Sequence, residues 1–122
     1  MNVFKENLHQ LLLQAPMKNK VVLGFDPGYA HGCKIAIIDR TGKVLDTTVI
    51  YPTEPRKEIE KSSLILSRLI KKYNVDLIAL GNGTASRESE KFIRDFEFEN
   101  GIYLDPVKQI EYEEELEDEY EM

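Results

Sequence analysis

The sequence predicts an α/β domain built on a mixed, five-stranded sheet with flanking helices, in the order 3-2-1-4-5. Three observations carry that expectation. Apolar runs of strand length, VVLGF, KIAII and VLDTTVI, are separated by turn chemistry short enough for hairpins. The next two apolar stretches, VDLIAL and GIYLD, each follow an amphipathic segment of helical period, the pattern of a right-handed crossover to a parallel strand. Finally, 122 residues with 42% hydrophobic content suffice for one core of domain size and no more.

Taken in order, Val3, Phe4, Leu8, Leu11 and Leu12 fall at near-helical spacing, so residues 1–16 are expected to form an amphipathic helix closed by Pro16 and a linker. Val21 to Phe25 form a mostly buried strand, halted by Pro27-Gly28. Lys34 to Asp39 make the second strand, and the Arg40-Thr41-Gly42-Lys43 turn leads into a third, so that the three form an antiparallel meander exposing alternate residues such as Asp46 and Thr48. Pro52 and Pro55 introduce a helix over about 55–73, with Ile59, Leu66, Leu69 or Ile70, and Tyr73 facing inward and Asn74 closing it. A fourth strand ends at Gly81-Asn82-Gly83. Thr84 is placed to cap a helix burying Ala85, Phe92, Ile93 and Phe96. Residues 101–105 complete the sheet before Pro106; a four-stranded sheet with this segment detached is the alternative. The domain proper is expected over 17–110.

The formal net charge of -6 conceals a partition. Residues 111–122, EYEEELEDEYEM, hold eight acids and no base, and the remainder carries 14 acids against 16 bases. The body is slightly basic, and the acidic block repels itself and is expected to be a disordered or frayed extension, with a helix as the alternative. No apolar run approaches the length of a membrane span, and the amino-terminal ten residues lack the hydrophobic block of a signal peptide; a cytoplasmic protein without a membrane partner is the expectation. A single cysteine, Cys33, and two separated histidines, His9 and His31, argue against a disulfide framework and against zinc. Neither a Gly-x-Gly-x-x-Gly fingerprint nor a Walker A pattern occurs.

Chemistry concentrates in FDPGYAHGCK, residues 25–34, and LGNGTASRESE, residues 80–90. Adjacent parallel first and fourth strands bring both stretches to one carboxyl edge, where open α/β sheets bind ligands. Asn82, Gly83, Thr84, Ser86 and Arg87 can offer amide, hydroxyl and guanidinium donors to a phosphate, and Lys34 can face the same mouth; ordinary turn geometry and a solvent-facing lysine are the competing readings. Asp26 can hold magnesium or manganese, or cap its own turn as an Asx motif. Asp105, at the end of the last strand, is the remaining candidate carboxylate. Cys33 reads as a packed small residue and His31 as an exposed loop residue.

The motif pair DPG…GCK and GNGTASRE, with ENLHQLLLQAP before it and GCKIAIIDRTGKVLDTTVIYP between, resembles the YqgF-type, ribonuclease H-like domains of Tex transcription accessory proteins over roughly residues 3–105. The resemblance implies a ribonuclease H-like sheet related in fold to Holliday-junction resolvases, other domains of a larger parent protein as partners, and nucleic acid as ligand. Asp26 matches the aspartate of the family's first strand. The glutamate of resolvase-like relatives, after the fourth strand, has no counterpart in Gly81-Asn82-Gly83, and Ala30 and His31 stand where the family often has arginine and threonine. The expectation is a noncatalytic or incomplete module with weak nucleic-acid association by the isolated domain. The alternatives are a metal-dependent nuclease or resolvase using Asp26, with Asp105, and an interdomain scaffold that can homodimerise through Leu8, Leu11 and Leu12.

Overall fold

The computed structural model describes residues 19–102 and 104–110. The amphipathic segment expected over residues 1–16 and the acidic block 111–122 lie outside the described residues. Strands β1 (Val22–Asp26), β2 (Cys33–Ile38) and β3 (Val44–Ile50) form the meander; α1 (Ile59–Tyr73), β4 (Leu77–Gly81), α2 (Ser86–Asn100) and β5 (Asp105–Ile110) follow. The sheet runs β3-β2-β1-β4-β5, antiparallel through the first three strands and parallel from β1 to β4 and from β4 to β5.

Strand β1 is central because it can be: Val22, Leu23 and Phe25 are all buried, and only Asp26, at its end, is half-exposed. Register then assigns the faces, since residues paired across strands share a side of the sheet. Leu23, Phe25, Ile35, Ile37, Ile50, Ile78 and Leu80 meet Leu66 and Ile70 of α1 and Phe92, Ile93 and Phe96 of α2 in one core. Both helices lie on that face, as two right-handed crossovers moving in the same direction require. Val22, Ala36, Ile38, Leu77 and Ala79 occupy the other face and are also buried. The Val21 amide donates to Asp76 Oδ2 at 2.8 Å, tying the starts of the two central parallel strands together.

Several local expectations are corrected. Helix α1 begins at Ile59, not near residue 55, because Lys57 adopts a left-handed conformation at φ 49° and interrupts the turn. Ile59 is 38% exposed, and the buried stripe is Ser62, Leu66 and Ile70. Asn74 does close the helix, at φ 52°, its amide donating to the Ile70 carbonyl. Asp46 and Thr48 are half-buried while Val44, Leu45 and Thr47 are exposed. The parity is set by buried Ile50, which puts 46 and 48 on the helix side, and Asp46 accepts a 3.0 Å hydrogen bond from the Tyr73 hydroxyl there.

The last strand also starts later than expected. Gly101 takes φ 63° as the C-cap of α2, and the Ile102 amide still donates to Glu97, so 101–102 belong to the helix end. β5 therefore opens at Asp105 and runs across Pro106. An edge strand tolerates a proline, and the register advances three residues on β5 (Asp105 to Lys108) for two on β4 (Leu77 to Ala79), a bulge beside that position.

Candidate functional site

The carboxyl ends of β1 and β4 do form one edge. Phe25 pairs with Leu80, and Asp26 and Gly81 follow that pair as the last residues of the two strands, while on its other side Asp26 pairs with Lys34 at the start of β2. Asp26 and Lys34 thus share the face opposite the two helices; both are half-buried and neither is free of interactions. The strand neighbour nearest to Asp26 on the β4 side carries no side chain at all.

Asp105 does not join them. Its register partner is Leu77, the first residue of β4, whereas Asp26 stands at the Gly81 end. Four residues of strand separate the two levels, about 13 Å at the rise of an extended chain. The reason is the late start of β5: the aspartate expected to close the strand opens it.

The turn from β4 holds Asn82, Gly83 and Thr84, and Ser86 and Arg87 open α2. Asn82, Thr84 and Arg87 are exposed, and the Ser86 amide donates to the Gly83 carbonyl at 3.1 Å. Thr84 is not the cap. The N-cap is Ala85, held at φ 65° with no side-chain capping bond, and its carbonyl accepts the first helical hydrogen bond from Ser89 at 3.0 Å. The first-turn amides of α2 are left without a side-chain acceptor from the cap, and their partial positive charge is joined by exposed Arg87. Arg87 forms no ion pair among the described residues.

Beneath this edge lies a polar cluster that periodicity does not reveal. The Gly28 carbonyl accepts from the buried Thr53 hydroxyl at 2.6 Å and from the Cys33 thiol at 3.5 Å, and Cys33 Sγ lies 3.7 Å from Ser89 Oγ. Three separate segments are pinned: the β1–β2 turn, the β3–α1 loop and the second turn of α2. Burial pushes the Cys33 thiol up, which outweighs the hydrogen bonds that favour its thiolate. The residue is wholly enclosed and suited to packing, not to nucleophilic chemistry. Above it, the Gly32 amide donates to the Tyr29 carbonyl at 2.9 Å and closes the turn that carries exposed His31. The Tyr29 hydroxyl donates to Glu88 in the first turn of α2, and that bond raises the phenol above its ordinary value. A cleft of about 260 Å³ between the loop after β3 and α2 is lined by Thr53, Lys57, Glu88, Lys91 and Phe92 among others; its lysines are answered by Glu54 and Asp95.

Magnesium and manganese take several oxygen ligands, and two-metal phosphodiester cleavage needs carboxylates around both ions. Among the described residues no three His, Cys, Asp or Glu side chains gather into such a set. Among the described residues, Asp105 lies at the Leu77 level of the sheet and Gly81 ends β4, so neither brings a second carboxylate beside Asp26.

Residues 20–112 match the family model described as Tex protein YqgF-like domain. The chain is similar to Protein tex of Bordetella pertussis, 57% identical over 93 residues, which cover 76% of the chain and 12% of that protein. It is 51% identical over 89 residues to the Transcriptional accessory protein Tex of Neisseria gonorrhoeae, covering 73% of the chain and 11% of that protein. The chain therefore spans about an eighth of the length of these curated relatives. Among solved structures, T. thermophilus RuvC in complex with Holliday junction substrate superposes with a TM-score of 0.55 at 16% identity, covering 75% of the chain and 64% of that one. That likeness concerns the fold.

Proposed function

The chain belongs to the family of Tex protein YqgF-like domains, and from that premise we propose that it is a nucleic-acid-associating module of a larger transcription accessory protein, one that cleaves no phosphodiester bond. The observation that carries the reading is the end of β4 at Gly81, one residue past the Phe25–Leu80 pair, which brings no side-chain carboxylate to the side of Asp26 where a metal-dependent nuclease needs several. What remains at the edge is chemistry for holding a phosphate: Lys34, exposed Asn82 and Thr84, Ser86, Arg87, and the amides around Gly83 at the start of α2. The body's slight excess of bases favours a polyanion, and the small number of contacts points to weak, salt-sensitive association by this domain alone. The relatives' greater length favours function alongside other domains.

A second reading, a divalent-metal nuclease using Asp26, draws support from the place of that residue at the end of the first strand of a RuvC-like sheet, RuvC having been solved with a Holliday junction. Incubation with magnesium or manganese on branched and single-stranded substrates separates the readings. The chain and Asp26→Asn are both expected to leave every substrate intact. Cleavage that disappears in Asp26→Asn would overturn the noncatalytic reading.

A further inference from the structure

The cations of the two helices are treated differently. On α2, three basic residues stand among five acids, and Lys91 and Arg94 are bound to Asp95 and Glu90 at 2.8 and 2.6 Å. On α1, four basic residues, Lys61, Arg68, Lys71 and Lys72, face a single acid, Glu60. All four are exposed. Lys61, Arg68 and Lys71 reach no carboxylate among the described residues, and Lys72 lies 5.2 Å from the Tyr73 ring centroid.

Their spacing sorts them onto one side. At about 100° per residue, positions 61, 64, 68, 71 and 72 fall within roughly 100° of arc, opposite buried Ser62, Leu66 and Ile70. The row extends about 16 Å along the helix. Leu64, 54% exposed, sits in its midst and adds an apolar contact between charged ones. A soluble helix with only a structural task gains from i,i+4 acids among its lysines, as α2 has them; α1 forgoes these.

We propose that this face of α1 is a second contact surface for the phosphate backbone of nucleic acid, with Lys61, Arg68 and Lys71 each neutralising a phosphate. The inference rests on the nucleic-acid reading above and adds to it a surface away from the Asp26 edge.

The test is a fluorescence-anisotropy titration of labelled single-stranded DNA and RNA over a series of salt concentrations. It uses the full chain, the triple variant Lys61→Gln/Arg68→Gln/Lys71→Gln, the control Arg40→Gln/Lys43→Gln on the β2–β3 turn, and Arg87→Gln at the edge. Circular dichroism establishes that each is folded. The triple variant is expected to lower the slope of log K against log salt by about 2, at ~0.7 per phosphate contact on a single strand, with the control near the unaltered chain. An unchanged slope in the triple variant, or an equal loss per charge removed in the control, overturns the α1 surface. Arg87→Gln reads the edge separately: if it alone leaves binding unaltered, the edge fails and the α1 surface stands. If the unaltered chain binds neither nucleic acid but retains inorganic polyphosphate through these three residues, nucleic acid is the wrong ligand and both readings fall.

Discussion

Gly32 shows how narrowly the edge is constrained. At φ 82° it occupies a conformation that residues with a Cβ rarely adopt, and a Cβ there would stand 2.6 Å from Val49 Cγ1 and 2.9 Å from the Ile50 carbonyl oxygen. Gly32→Ala is expected to destabilise the fold by roughly 2–4 kcal/mol, combining left-handed strain with overpacking, as read by urea denaturation. Thr53 makes a comparable point through polarity, because its buried hydroxyl satisfies the Gly28 carbonyl. Thr53→Val keeps the shape and loses the donor, at an expected cost of about 1–3 kcal/mol in the same measurement. Glu97 carries the opposite sign. Burial raises its pKa, with Arg94 pulling it back only in part, and one carboxylate oxygen is buried without a hydrogen-bond partner. A carboxyl whose folded pKa lies above its unfolded value weakens the fold when ionised. The penalty is present above the folded pKa and is relieved as pH falls through it. Glu97→Gln should therefore raise the melting temperature at neutral pH, and the advantage should shrink as the medium is acidified into the glutamate range.

At the level of elements, the sequence was most readable where one physical signal dominated. The buried run of β1, the short turns of the meander and the apolar stripe of α2 all emerge from hydrophobic pattern and turn chemistry. Asn74 was legible as a helix stop because asparagine tolerates the left-handed region. Asn74→Ala is expected to cost about 1 kcal/mol and Asn74→Gly to cost nothing, by thermal melting. Thr84 is a cap by residue type, but the backbone reaches the helix through a left-handed Ala85. The late start of β5 had a similar cause: Gly101-Ile102 reads as a strand opening, but the helix end claims both residues. The polar cluster of Cys33, Thr53, Ser89 and Gly28 has no local signal, since the bonds from Thr53 to Gly28 and between Cys33 and Ser89 span 25 and 56 residues of chain. Of the candidate site, the meeting of the β1 and β4 ends follows from crossover logic, and Gly81-Asn82-Gly83 shows in the sequence itself that the end of β4 carries no side-chain carboxylate.

For the whole molecule, charge distribution matters more than its total. The described sheet and helices belong to a body with more bases than acids, and those bases are unevenly answered: Lys91 and Arg94 of α2 are paired, whereas those of α1 meet no carboxylate among the described residues. The edge beside Asp26 and the face of α1 together supply cations and helix-start amides without a cluster of metal-ligating side chains among the described residues. No helix among those residues is long and apolar enough to cross a membrane. Association with nucleic acid without cleavage is read by measuring binding of labelled RNA and DNA to a form ending at residue 110, from low to physiological salt. Binding at low salt is expected to weaken linearly on a double-logarithmic plot, with the nucleic acid recovered intact. No change in anisotropy at the lowest salt for either RNA or DNA would contradict it.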